Sequence, residues 1–173
     1  MMQSLILGGA RSGKSALAER LAQNFEEVVY IATAQPGDAE MAQRIAEHRV
    51  RRPVHWRSVE QPITLAASLA EHAREGRCLL VDCLTLWLSN LLLSDDTQAL
   101  ARERAALLAV LPDLPGELLL VSNEVGQGVV PLGELSRRFV DQAGWLHQAL
   151  ASQCQRVILV TAGLPLALKG KLP

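Results

Sequence analysis

Short apolar runs alternate along the chain with longer stretches in which apolar residues recur every three or four positions. Residues 4–7 (SLIL) predict a strand, a glycine-rich turn follows, and residues 14–24 carry a helical period. Residues 28–32 (VVYIA) predict a second strand. Met41, Ile45 and His48 share one face of a helix that Asp38 can cap and that runs to about Arg49. A short strand is expected at 54–59 and a helix at 64–75, stopped by Gly76. Residues 78–81 (CLLV) predict a buried strand that finishes on Asp82, followed by a helix through Leu93. The cluster SDDT at 94–97 caps a further helix to Leu111, and PDLPG at 112–116 is a turn by composition. Residues 118–122 read as a strand, 123–133 as a glycine-rich loop, 134–154 as a long helix and 157–161 (VILVT) as a last strand. Strands that are apolar throughout and joined by crossover helices indicate an α/β fold, a parallel sheet covered on both faces. No repeat, low-complexity tract or linker divides the chain, so residues 1–173 are expected to form a single domain.

Composition narrows the function. The chain carries 17 Lys+Arg against 18 Asp+Glu, a formal net charge of -1. That balance leaves no electrostatic footprint for nucleic acid or an anionic membrane. The basic residues are 14 Arg and 3 Lys, and Lys14 is the only lysine before the last five residues. With 49% apolar residues the chain can build a core, and disorder is excluded as the main state. Cys78, Cys83 and Cys154 form neither a disulfide framework nor a CxxC zinc pair. The start MMQSLILGG lacks the marks of a signal peptide, and LTLWLSNLLL at 84–93 covers about half a bilayer. A soluble, cytoplasmic protein is expected.

The strongest local pattern is Gly8, Gly9, Ala10, Arg11, Ser12, Gly13, Lys14 and Ser15, which fits GxxxxGK[ST] between a strand and a helix. Glycines let backbone N–H groups turn in on phosphate oxygens, and a helix N-terminus adds partial positive charge. Lys14 is placed to reach the β/γ-phosphates and Ser15 to ligate Mg²⁺. Asp82, ending the next buried strand, either holds that metal through water or caps the following helix. A Ras-like guanine switch is excluded, because no lysine exists to form its base-reading motif.

Arg44, His48, Arg49, Arg51 and Arg52 put five cationic or protonatable groups between positions 44 and 52. One reading is a solvated helix end, where the dipole favours arginine. The other is a triphosphate clamp around a nucleophile, with flanking guanidinium groups holding His48 neutral for attack on phosphorus. His55, His72 and His147 show no comparable setting.

Six segments taken together carry a resemblance. They are GGARSGKS from Gly8, YIAT from Tyr30, EMAQRIAEHRVRRP from Glu40, Trp56 with Glu60, VDCLTLWLSN from Val81, and SNEVGQGVVP from Ser122. In this order the set resembles the bifunctional adenosylcobinamide kinase / adenosylcobinamide-phosphate guanylyltransferase family, over nearly the whole chain. The resemblance implies a RecA-like P-loop fold, mostly parallel with one antiparallel strand, assembled as a homotrimer. It implies ATP or GTP as phosphoryl donor, GTP as guanylyl donor, and a corrinoid, adenosylcobinamide or its phosphate, as acceptor. It also implies that His48 becomes covalently guanylylated. Nucleotide contacts carried over are Gly8 to Ser15, Ala32, Thr33, Ala34, Arg49, Val50, Arg51, Arg52, Glu60 and Asp82. Gln127, Gly133 and His147 depart from the family's usual residues, in regions expected to line the corrinoid side or the subunit contact. Two rival readings stay open at this point: a plain P-loop kinase in which His48 and its arginines only bind phosphate, and a nucleotide-gated assembly subunit.

Overall fold

A sheet of seven strands runs through the computed structural model, which describes residues 2–37 and 39–173. For Glu40, Met41, Arg44, Glu47, His48 and Arg51 it describes the backbone alone, and Asp38, the expected cap, lies outside the described residues. The elements follow in the order β1 (Met2–Gly8), α1 (Lys14–Ala22), β2 (Glu27–Ala32), α2 (Ala39–Arg51), β3 (Arg57–Glu60) and α3 (Leu65–His72). Then come β4 (Arg77–Asp82), α4 (Leu84–Leu92), α5 (Ala99–Val110), β5 (Glu117–Asn123), α6 (Glu134–Gln153), β6 (Arg156–Thr161) and β7 (Leu164–Lys169). Strand order across the sheet is β3-β2-β4-β5-β1-β6-β7, parallel from β3 to β6, with β7 antiparallel to β6. This is the helix-covered, mostly parallel architecture expected from the alternation.

Side chains alternate between two cores. Leu5, Val29, Leu79 and Leu118 face one side, where Leu65, Trp87, Leu107 and Leu150 of the helices α3 to α6 cover them. Ile6, Tyr30, Leu80 and Val121 face the other, packed against Leu17, Ala18 and Ala22 of α1. Because both faces are buried, the central strands can be apolar at every position.

Three boundaries differ from the expected ones. The strand expected at 54–59 begins only at Arg57, because the Trp56 N–H closes a turn on the Pro53 carbonyl and buries its ring. α3 ends at His72, where Ala73 turns extended; Gly76, at φ +78°, belongs to the turn after it and does not cap the helix. The cluster at 94–97 shapes the approach to α5 differently from a cap: Asp96 Oδ1 accepts the Gln98 N–H at 2.9 Å, and Gln98 itself precedes the helix.

Candidate phosphate-binding site

Parallel pairing brings the expected site residues to one edge. Ala32 is level with Glu60 on one side and with Asp82 on the other. Asp82 is level with Val121, and two residues further on Asn123 is level with Gly8. Gly8, Ala32, Glu60 and Asp82 therefore all end strands at the carboxyl edge, where open α/β sheets bind ligands.

The loop after β1 is shaped by its glycines. A Cβ at Gly8 would stand 2.4 Å from Ser12 Oγ and 2.6 Å from the Val160 carbonyl oxygen, so no side chain fits there. Gly13, at φ +97°, occupies the left-handed region as it opens α1, and no side chain caps the helix. The Ser12 carbonyl accepts the Gly163 N–H at 2.8 Å, tying the loop to the β6–β7 turn. Gly9, Ala10 and Arg11 are exposed along the rim, with Arg11 at φ 56°. The Ser12 hydroxyl is buried and has no hydrogen-bond partner. Lys14 is 8% exposed, and its Nζ donates to the Gly9 carbonyl at 3.3 Å. The ammonium thus lies over the loop it would serve. Ser15 follows, half-buried, in the first turn of α1.

Asp82 does not cap α4. Cys83 stands at the cap position, with no side-chain cap bond, while Asp82 Oδ2 accepts the Tyr30 hydroxyl at 3.0 Å. Burial and the Asp82 charge push Tyr30 far above the usual phenol range, so it stays a donor. The Arg52 guanidinium lies 3.6 Å from the centroid of the Tyr30 ring. A chain of contacts runs from Arg52, just past α2, over the Tyr30 ring and through the Tyr30 hydroxyl to Asp82.

The arginine cluster splits between the two readings of it. Arg49 is exposed and pairs with Glu60, as a solvated helix end would. Val50 is 86% exposed. Arg52 instead turns inward on Tyr30. The side chains of Arg44, His48 and Arg51 lie outside the described residues; the backbone places His48 on α2, four positions before Arg52.

Thr33 is fully buried and its hydroxyl is already occupied. It donates to the Cys83 carbonyl at 2.7 Å and accepts the Cys83 N–H at 3.0 Å, which locks the loop after β2 to the end of β4. Its side chain is therefore not free to bind a ligand, and Ala34 beside it is half-buried. Asn90 Nδ2 fastens the same loop by donating to the Thr33 carbonyl at 2.8 Å.

Magnesium fits the donors present. Ser15 and Asp82 offer two hard oxygen ligands, and among the described residues no cluster of three or more His, Cys, Asp or Glu could hold a metal alone. Mg²⁺ is commonly held in this way, by one or two protein oxygens with water and phosphate completing the shell.

The contacts of His147 escaped sequence reasoning. His147 is buried, with Nε2 2.7 Å from Ser122 Oγ and Nδ1 3.9 Å from Glu124 Oε2. Only the packing of α6 on β5 reveals that triplet. The three cysteines are buried and free, and burial pushes Cys78 to about 12 and Cys154 to about 11, far too high for nucleophiles at neutral pH.

Comparison with known proteins places these features in a wider set. The family model described as cobinamide kinase / cobinamide phosphate guanyltransferase matches residues 4–168. The chain is 67% identical over 171 residues to the bifunctional adenosylcobalamin biosynthesis protein CobP of Pseudomonas aeruginosa, covering 98% of this chain and 99% of that one. It is 39% identical over 181 residues to the bifunctional adenosylcobalamin biosynthesis protein CobU of Escherichia coli, covering 97% and 100%. Among solved structures, a protein of Pyrococcus horikoshii OT3 matches with a TM-score of 0.57 at 9% identity, over 99% of this chain and 87% of that one. A type III secretion ATPase matches with a TM-score of 0.52 at 13% identity, over 96% and 56%. These two support the fold alone.

Proposed function

Because the chain belongs to the cobinamide kinase / cobinamide phosphate guanyltransferase family, we propose that its single phosphate loop serves both reactions in turn. The enzyme is a bifunctional transferase of cobalamin biosynthesis, a cobinamide kinase and a cobinamide phosphate guanylyltransferase. The reading that goes further concerns which residues act and how.

In the kinase reaction, backbone N–H groups of residues 9–15 hold the phosphates of ATP or GTP, and the Lys14 ammonium swings from the Gly9 carbonyl onto the γ-phosphoryl group. Ser15 and Asp82 would hold Mg²⁺, which would supply positive charge to the transferring phosphate. The Ser12 hydroxyl, buried without a partner, gains one in a phosphate oxygen. The acceptor is the free hydroxyl of adenosylcobinamide.

In the guanylyl reaction His48 attacks the α-phosphorus of GTP, pyrophosphate leaves, and the GMP is held as a phosphoramidate. The phosphate of adenosylcobinamide phosphate then attacks the same phosphorus and frees His48. Arg49, Arg51 and Arg52, with Glu60 and the backbone of residues 32–34, line the nucleotide. The observation carrying this reading is Arg52, just past the helix bearing His48, lying over the ring of Tyr30, whose hydroxyl donates to Asp82. The homotrimer and the cytoplasmic location rest on the same family reading.

Intact-mass measurement after incubation with GTP and Mg²⁺ tests the covalent step. A GMP-sized, acid-labile gain that vanishes in His48→Ala is the expected result. Wild-type protein that transfers phosphate to cobinamide yet never gains GMP would leave His48 and its arginines as phosphate binders only.

A further inference from the structure

Three polar side chains that the site above leaves unused line up at the carboxyl end of β5. Ser122 is wholly buried, and its Oγ lies 2.7 Å from His147 Nε2. The other edge of that ring faces Glu124, with Nδ1 3.9 Å from Oε2. Glu124 is joined to the phosphate loop, since its N–H donates to the Gly8 carbonyl at 3.0 Å. Its Oε1 accepts the Gly126 N–H at 2.6 Å, and a Cβ at residue 126 would come within 3.1 Å of that oxygen. The segment Asn123-Glu124-Val125-Gly126 is folded around one carboxylate.

A turn needing only an acceptor for the Gly126 N–H would require nothing beneath it. Here a serine and a histidine are buried under the carboxylate, an arrangement that costs free energy unless it orders something. Burial holds His147 below its ordinary value, so the ring is neutral. Nδ1 and Oε2 are 3.9 Å apart, so the neutral ring packs under the carboxylate, and Ser122 Oγ and His147 Nε2 share one hydrogen bond at 2.7 Å that fixes the ring's orientation.

Phosphoryl transfer to an alcohol releases a proton that needs an acceptor beside the γ-phosphate. Among the described residues, Glu60, Asp82 and Glu124 are carboxylates at the carboxyl edge of the sheet, and Glu124 alone follows the strand that pairs with β1. Glu60 is paired with Arg49, and Asp82 is bonded to Tyr30 and suited to the metal. Glu124 faces a neutral partner and remains 22% exposed.

We propose that Glu124 is the general base of the cobinamide kinase step and that His147 and Ser122 are the positioning pair that holds it. This rests on the kinase reading of the phosphate loop. As the acceptor oxygen bonds to the γ-phosphorus, the bond from that phosphorus to the β–γ bridging oxygen breaks, and its electron pair leaves with the nucleoside diphosphate. The hydroxyl proton passes to a Glu124 oxygen and then to solvent. The guanylyl step needs no such base, because its acceptor is already an ionised phosphate.

The two activities separate the outcomes. Glu124→Gln is assayed for phosphorylation of cobinamide and, independently, for guanylyl transfer to supplied cobinamide phosphate. The expected result is a kinase kcat lower by about 10²–10⁴-fold, with KM for nucleotide little changed and guanylyl transfer retained. His147→Phe, which keeps bulk but cannot hydrogen-bond Ser122, lowers kinase kcat by less and likewise spares guanylyl transfer. Kinase activity undiminished in Glu124→Gln overturns the assignment, as does an equal fall in both activities. A wild-type enzyme that fails to phosphorylate cobinamide overturns the kinase reading beneath it instead.

Discussion

Under the proposed mechanism, Lys14 and Tyr30 would do opposite kinds of work on the same site. Lys14 would supply charge that matters most when negative charge develops on the transferred group. Lys14→Ala is expected to lower cobinamide phosphorylation by about 10²–10³-fold, the usual cost of one transition-state donor, measured as kcat at saturating nucleotide. Tyr30 supplies orientation. Its hydroxyl donates to one oxygen of Asp82 and, being held far above the usual phenol range, contributes no titration near neutral pH. Tyr30→Phe removes that donor and should cost about 1 kcal/mol of stability, read by denaturant titration, while raising the Mg²⁺ concentration needed for half-maximal kinase rate. An unchanged Mg²⁺ requirement would separate Asp82 from the metal. His147 brings a pH dependence whose sign follows from its burial. Its value is lowered from 6.5 in the fold, so the unfolded chain binds the extra proton first. Its contribution to stability is complete above 6.5 and is lost as pH falls through the lower, folded value. Melting temperature should therefore drop on acidification below 6.5, and His147→Asn should flatten that drop.

At the scale of elements, the glycines of the β1–α1 turn show how close packing and function coincide. Gly8 is pressed between Ser12 Oγ and the backbone of β6, a fixed carbonyl that cannot step aside. Gly8→Ala should cost about 1–3 kcal/mol through forced backbone shifts and weaken nucleotide binding more than it lowers the melting temperature. Fluorescent-nucleotide titration beside a thermal melt checks both. The phosphate loop was readable in the sequence because its chemistry requires residue types at fixed spacing, and the central strands because burial on both faces makes them apolar throughout. β7 was not located. It is an edge strand whose Leu164, Leu166 and Leu168 remain 72%, 58% and 55% exposed, so nothing buries them to leave a core pattern. The sequence left Arg52 between a solvated helix end and a phosphate clamp and could not show its contact with Tyr30, 22 positions away on another element. It marked His147 as a departure but not its contact with Ser122, which forms only across the packing of α6 on β5.

Among the described residues, the fold leaves an apolar surface uncovered besides the leucines of β7. Around the loop between β5 and α6, Val129 is 96% exposed, Val130 69%, Leu132 97% and Leu135 52%. Four large apolar residues displayed within seven positions form more than scattered surface hydrophobics, and contiguous patches of this kind mark contact sites. No helix among the described residues is long and apolar enough to cross a membrane. The family reading supplies a second copy of the chain as occupant. The loop starts at Asn123, level with Gly8, so a neighbour seated on its tip would stand beside the phosphate site and could shape the corrinoid side of it. The departures at Gln127 and Gly133 fall within this loop, where they would alter that contact without touching Lys14 or Asp82. Leu132→Asp places a charge at its most exposed apolar position. In light scattering after size exclusion, wild type is expected at the mass of three chains and Leu132→Asp at a lower mass, with its phosphate loop still able to bind nucleotide. A variant that keeps the wild-type mass would place the subunit contact elsewhere, with the exposed leucines of β7 as the next surface to charge.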